Sequence, residues 1–211
     1  MIDVLVVDDH AIFRSGLKRL LADETDMQVS GEAGSGQEAL DMLQAGAYSL
    51  VLLDINMTGR SGLDTLKRIR ARWHEQPVLM LSMYPHEQYA AMALDAGANG
   101  YLSKDCDARE LVQAIRIASG GGYYLSPAAA GSIFVKLRKE GGQPPHFKLT
   151  PRELEILHLI IQGVSLTEIG KQLFLSVKTV STYRTRLLEK LGVENNADLL
   201  RYALRHGLTD S

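Results

Sequence analysis

The sequence contains one cysteine, Cys106, so no disulfide can close within the chain and no cluster of thiolates can hold a metal ion. It lacks any uninterrupted apolar run near the roughly 18 residues that a membrane helix requires. The opening stretch MIDVLVVDDH has neither the basic start nor the cleavage site of a secretory signal. Six histidines are present, but none shows the HExxH or finger spacing of a zinc site. These absences lead to the expectation of a reducing, cytoplasmic setting with no membrane partner.

What is present is a chain of 211 residues, long enough for one large or two small domains. With 45% hydrophobic and 23% charged residues it has the balance of a folded chain with a buried core. The net charge of −2 conceals a contrast between its two parts. Residues 1–121 carry 11 Lys and Arg against 17 Asp and Glu, whereas residues 122–211 carry 12 against 8. An acidic part joined to a basic part predicts a different partner for each.

Along residues 1–121 short apolar runs alternate with helical patterns. Asp3–Asp9 (DVLVVDD) reads as a strand ending in two acids, and Ala11–Ala22 as a helix with Ile12, Leu17, Leu20 and Leu21 as its apolar stripe. Gln28–Ala33 alternates as a strand with Val29 inward, and Ser35 with Glu38 opens a helix that Gly46 closes. Leu50–Gly59 (LVLLDINMTG) runs four apolar residues into Asp54, the pattern of a strand buried on both faces. Ser61 and Asp64 open the next helix, Pro77–Ser82 is a fourth strand, Pro85–Ala96 a helix stopped by Gly97, and Gly100–Lys104 a fifth strand. Asp107 and Glu110 start a last helix that glycines end. This order predicts a doubly wound α/β domain with a five-stranded parallel sheet. Right-handed crossovers put the strand ends at one edge, which collects Asp8, Asp9, Asp54, Ser82 and Lys104.

Three carboxylates gathered at one place repel each other and raise their pKa values unless a cation intervenes. A hard divalent ion such as Mg2+, which takes octahedral oxygen ligands, removes that penalty. Asp8, Asp9 and Asp54 are its candidate ligands, with the backbone carbonyl of Asn56 as a further one. Asp54, at the end of the central strand, is the candidate nucleophile toward a phosphoryl group. Lys104 would pair with the new charge, and the Ser82 hydroxyl would donate to another phosphoryl oxygen.

Gly120–Tyr124 and Gly141–His146 (GGQPPH) are Gly- and Pro-rich breaks with a helix expected over Ala128–Lys139, so residues 122–146 read as a linker. Beyond it the period is helical throughout. Thr150, Pro151 and Glu153 form a strong helix start, Ser165 with Glu168 opens a short helix, and Ser176 caps one over Val177–Leu191. Asn196–His206 is the fourth, making a small all-α domain of four helices. Two helices about a tight turn read as a helix-turn-helix. In the second, Val180, Tyr183, Leu187, Leu188 and Leu191 fall at core spacing. Lys178, Ser181, Thr182, Thr185 and Arg186 point elsewhere, and such hydroxyls and cations suit a helix entering a DNA major groove.

These residues make the chain similar to the two-component response regulators of the NarL/FixJ class. The receiver pattern of that family, which implies a flavodoxin-like fold, is matched by Asp8 and Asp9 as the acidic pair, Asp54 as phosphoacceptor, Ser82 as switch hydroxyl, Tyr101 as switch aromatic, and Lys104. LTPRELEIL at Leu149–Leu157, the Gly163 and Ser165 pair, and LSVKTVSTYRTRLLEKLGV at Leu175–Val193 resemble the LuxR-type helix-turn-helix. This second resemblance implies DNA contacts from Lys178, Thr179, Ser181, Thr182, Thr185 and Arg186. Tyr183 and the closing RHGL at Arg205–Leu208 resemble the GacA/UvrY and EvgA branch. Thr58 departs from the family, which commonly has proline there, and Ser181 stands where many members have lysine.

The resemblance implies a receiver over residues 1–121, a linker over 122–146 and a DNA-binding domain over 147–211. It implies a transcription regulator rather than a dedicated enzyme, taking a phosphoryl group from a sensor histidine kinase onto Asp54 with Mg2+. Activation would produce a homodimer on promoter DNA, with RNA polymerase as a further candidate partner. Ser82 would move toward the phosphoryl group and Tyr101 would rotate inward into the vacated space. Constitutive DNA binding, with the receiver only a dimerisation or protein-interaction module, is the alternative, and the intact set of Asp8, Asp9, Asp54 and Lys104 argues against it.

Overall fold

Leu50, Val51, Leu52 and Leu53 have no accessible surface, because the run they form becomes the central strand of a sheet covered on both faces. The structure is a computed structural model that describes residues 1–57, 61–83, 87–126, 144–206 and 208. It divides into two units, Met1–Val135 and Lys136–Ser211.

In the first unit β1 (Ile2–Val7), α1 (Ala11–Ala22), β2 (Met27–Ala33), α2 (Gly36–Ala45), β3 (Leu50–Asp54), α3 (Gly62–Arg72), β4 (Val78–Ser82), α4 (Glu87–Asp95), β5 (Gly100–Ser103) and α5 (Ala108–Ser119) alternate in sequence. The strands pair in parallel in the order β2-β1-β3-β4-β5, the doubly wound arrangement expected from the alternation. A two-residue strand, β6 (Tyr124–Leu125), extends the expected five. The glycines after α5 look in sequence like a break that ends the sheet at β5. They instead return the chain to the open edge, where the Tyr124 amide donates to the Asn99 carbonyl at 2.8 Å.

Side chains alternate across the sheet. Val4, Val6, Leu50, Leu52, Leu79, Leu81 and Leu102 pack with Leu17 and Leu21 of α1 and with Leu111 and Ile115 of α5. By the same alternation Leu5, Val7, Val51, Leu53, Met80 and Tyr101 serve the other face, and all are buried. One expected core residue is misplaced: Ile12 is 90% exposed, while Phe13 packs on the core. From Leu17 back to Ile12 is five residues, about 140° beyond a full turn, whereas Phe13 lies one turn before Leu17.

Caps follow the sequence signals. Ser35 accepts from the Glu38 amide, Ser61 from Leu63 and Asp107 from Glu110. At the opposite edge from the strand ends, the Arg70 guanidinium donates to the carbonyls of Gly97 (2.7 Å) and Gln76 (2.5 Å) and to Asn99 Oδ1 (3.0 Å). It ties α3 to the turns that start β4 and β5. Gly97 has φ +92°, a backbone that favours glycine and stops α4.

The second unit has a short 3-10 turn (Pro145–Lys148), then α6 (Pro151–Ile161), α7 (Leu166–Gln172), α8 (Val177–Leu191) and α9 (Asn196–Arg205). Thr150 and Glu153 form a reciprocal capping box, and Glu153 also receives Lys190 Nζ at 2.7 Å, which joins α6 to α8. Leu154, Leu157, Ile169, Val180, Leu187, Leu199 and Ala203 close the core. The helix expected over 128–139, the first residues of the helix expected from Pro85, and Thr58 lie outside the described residues.

Gly62 starts α3 directly beneath Asp54, and a Cβ there would collide with the Asp54 backbone carbonyl oxygen. Because the obstacle is backbone and not a movable side chain, Gly62→Ala should cost about 1–3 kcal/mol of stability. A urea unfolding midpoint unchanged from wild type would contradict this.

Candidate functional site

The strand register assembles the site. Asp8 follows β1 with its amide on the Ala33 carbonyl at 3.0 Å, Asp54 ends β3 opposite Leu81, and Ser82 ends β4 opposite Ser103. The Lys104 amide donates to the Ser82 carbonyl at 2.7 Å, which carries the lysine to the same edge. Lys104 Nζ then lies 2.7 Å from Asp8 Oδ2 and 2.9 Å from Asp54 Oδ2, with all three side chains almost fully out of water. The structure thus brings Asp8, Asp54 and Lys104 together, with Asp9 next in the chain to Asp8. The Asn56 amide donates to Asp54 Oδ1 at 3.2 Å, so the residue expected to offer its carbonyl is tied to the same carboxylate.

Asp8, Asp9, His10 and Asp54 each offer one ligand atom, and these atoms lie within 4.8 Å of one another. Three carboxylate oxygens suit a hard divalent cation, so the donor set fits Mg2+. His10, one of the histidines without zinc-site spacing, belongs to this cluster. Its Nδ1 is 3.0 Å from both Asp8 Oδ1 and Asp9 Oδ1, and its amide donates to Asp8 Oδ1 at 2.8 Å. Its position directly after the two acids was the available signal, because a turn at a strand end brings residue i+2 back onto residue i. Phe13 was also missed: its ring centre lies 4.6 Å from Lys104 Nζ, a cation–π contact that nothing distinguishes in sequence from core packing. Arg14 Nη1 donates to the Asp8 carbonyl at 2.6 Å.

Ser82 is fully buried, and the Tyr101 hydroxyl shares a hydrogen bond with it. Burial first, and the Asp54 charge in addition, push the Tyr101 phenol well above its ordinary pKa. The family resemblance implies that this ring turns inward on activation. It is already inside, 4% exposed, because alternation along β5 points it to the face opposite Leu102.

In the second unit Ser176 caps α8 by accepting from the Thr179 amide at 3.0 Å. Lys178, Ser181, Thr182, Thr185 and Arg186 are exposed, and Thr179 is half-buried. The Thr182 and Thr185 hydroxyls donate to the carbonyls of Lys178 (3.0 Å) and Ser181 (3.1 Å), which leaves oxygen lone pairs facing outward. Lys178, Thr179, Thr182, Tyr183 and Arg186 line one shallow groove. Tyr183, expected in the core, is half-buried and belongs to that groove. Its phenol gives it a reason to reach solvent that the leucines at neighbouring core positions lack. Arg184 instead donates to Asn196 Oδ1 at 2.7 Å and supports α9.

The family model of the response regulator receiver domain matches residues 4–116, and that of the luxR family of bacterial regulatory proteins matches residues 148–203. The chain belongs to the two-component response regulators. The response regulator UvrY of Escherichia coli is 37% identical to it over 212 residues, spanning 100% of this chain and 97% of that protein. The response regulator GacA of Pseudomonas protegens is 36% identical over 211 residues, spanning 100% and 99%. Among solved structures, RcsB of Salmonella enterica serovar Typhimurium, bound to promoter DNA in the presence of the phosphomimetic BeF3−, is 26% identical with a TM-score of 0.63. That alignment spans 96% of this chain and 98% of RcsB. This response regulator thus joins a receiver to a DNA-binding helix-turn-helix, the architecture of phosphorylation-regulated transcription. Its receiver assists phosphotransfer without being a dedicated enzyme.

Burial pushes the Asp54 carboxyl up to about 6; Lys104 opposes the rise and Asp8 adds to it. A folded-state value above the ordinary 3.8 means that ionising Asp54 costs stability as pH rises from about 4 to about 6. In chelator, Asp54→Asn should therefore melt above wild type at pH 7, and the gap should narrow as pH falls through that window. Melting curves across pH test this, and a gap independent of pH would exclude it.

Proposed function

We propose that this regulator takes a phosphoryl group on Asp54 from a phosphohistidine of a sensor kinase and changes its hold on promoter DNA in consequence. The observation that supports it best is Lys104 between the Asp8 and Asp54 carboxylates at the end of the central strand. An Asp54 oxygen attacks phosphorus, the P–N bond to the donor imidazole breaks, and the imidazole leaves with the electron pair. Asp8, Asp9, Asp54 and the Asn56 carbonyl are the residues we assign to Mg2+. When bound, the ion neutralises the charge on the phosphoryl oxygens during transfer. Lys104 exchanges its Asp54 partner for a phosphoryl oxygen, and Ser82 donates to another. Tyr101 is the aromatic partner that responds to Ser82.

The boundaries that suit this division of labour are 1–121 for the receiver, 122–146 for the linker and 147–211 for the DNA-binding domain. Lys178, Thr179, Ser181, Thr182, Thr185 and Arg186 are the DNA-contacting set. We infer a homodimer on a pseudo-palindromic site, with RNA polymerase as the machinery that reads the result. A kinase partner and a DNA target imply a cytoplasmic setting. No helix among the described residues is long and apolar enough to cross a membrane.

With Mg2+ and acetyl phosphate, the full chain should gain a hydroxylamine-sensitive phosphoryl group that Asp54→Asn lacks. DNA affinity, measured at fixed salt on a duplex selected from a random pool, should change by about 5- to 150-fold on phosphorylation. Equal affinity and equal oligomeric state with and without the phosphoryl group would sink the switch and favour a constitutive binder.

Arg186→Ala should weaken duplex binding and lower the slope of log affinity against log salt by about one, the signature of a lost phosphate contact. Glu194→Ala, which removes an exposed acid beyond α8, should do neither. Equal behaviour of the two variants in a salt titration would remove Arg186 from the interface.

A further inference from the structure

Phe174, in the turn between α7 and α8, carries two local penalties together. Among the described residues it alone combines a β-carbon with a positive φ, +54°. Its ring is 78% exposed, so no packing within the unit offsets the left-handed backbone. Asparagine or glycine would occupy that conformation more cheaply. The turn itself is held elsewhere. The Leu175 amide donates to the Gly170 carbonyl at 2.8 Å, and a side chain at Gly170 would crowd the Leu175 carbonyl. The ring is thus presented outward by a turn that does not need it.

Val177, the first residue of α8 and three residues after Phe174, is 45% exposed, and Lys178, which follows it, lines the groove. Residues 165–191 hold five Lys and Arg against two acids. Two exposed apolar side chains just before groove-lining Lys178, on a segment with a net positive charge, match a ligand that is a polyanion with apolar parts. Duplex DNA has both, in its phosphates and in its deoxyribose rings and thymine methyl groups.

We propose that Phe174, assisted by Val177, makes an apolar contact on the DNA duplex that seats the N-terminal end of α8. This rests on the reading of α8 as the DNA-entering helix. The ring meets either a deoxyribose or a thymine methyl group, and the contact is free of charge in both cases.

The test uses the full chain and a duplex that wild type selects from a random pool. Phe174→Asn, with Phe174→Gly as a second variant, should keep or raise the melting temperature while weakening duplex binding by roughly tenfold or more. The slope against log salt should stay at the wild-type value, because no phosphate contact is lost. Val177→Ala should show a smaller loss of the same kind. Replacing the thymines by deoxyuridine distinguishes the two surfaces. Equal losses for both Phe174 variants on both duplexes assign the ring to deoxyribose, and a loss confined to the thymine duplex assigns it to the methyl group. Wild-type affinity in both folded variants overturns the proposal. That holds also where transcription with purified RNA polymerase falls, since the ring would then serve a protein. A wild-type chain that selects no duplex overturns the reading of α8 itself, and the Phe174 contact with it.

Discussion

The receiver's site depends on one buried ammonium shared between two carboxylates. Lys104 lies within 2.9 Å of both Asp8 and Asp54, where little water screens any of the three. One cation among three acids leaves the edge short of positive charge; burial is the first cause of the raised Asp54 carboxyl, and the neighbouring Asp8 charge adds to it. Nothing in the packing of the sheet requires such an arrangement, since apolar side chains would close the edge more cheaply. What it favours is any added positive charge, which a divalent cation supplies, and any chemistry that gives Lys104 a more highly charged partner.

Much of this was legible in the sequence because burial on two faces leaves an unmistakable run. LVLLD, bounded by turn residues, reads as a strand buried on both faces, and the order of strands then carries Asp8, Ser82 and Lys104 to its end. Caps at Ser35, Ser61, Asp107, Thr150 and Ser176 were readable for a similarly local reason, since each needs one side chain and an amide two or three residues on. The failures share a cause as well. Ile12 and Phe13 are neighbours with similar hydrophobicity, and only the helix phase relative to Leu17 decides which faces inward. β6 depends on a vacant sheet edge, which no window of sequence displays. Phe13 against Lys104, and Tyr183 in the α8 groove, are encounters set by the tertiary fold and carry no period of their own.

The inward Tyr101 changes what a phosphoryl group would have to accomplish. A serine hydroxyl has one proton to donate and two lone pairs to accept with. Ser82 could therefore donate to a phosphoryl oxygen and accept from the Tyr101 phenol at the same time. Phosphorylation of Asp54 would then strengthen an arrangement already present in place of driving the ring in from solvent. A ligand shifts an equilibrium only by its differential interaction with the two states, so such a pre-formed ring lowers the work required of the phosphoryl group. With Ser82 and Tyr101 both on the sheet face opposite Leu81 and Leu102, any change in their pairing is felt first by the helix packed there. That helix is α4, in which Tyr89 is fully buried, and it makes more contact with β5 than with any other strand. A coupling of about 1–3 kcal/mol, enough to alter DNA affinity measurably, asks no more than a modest bias of that packing.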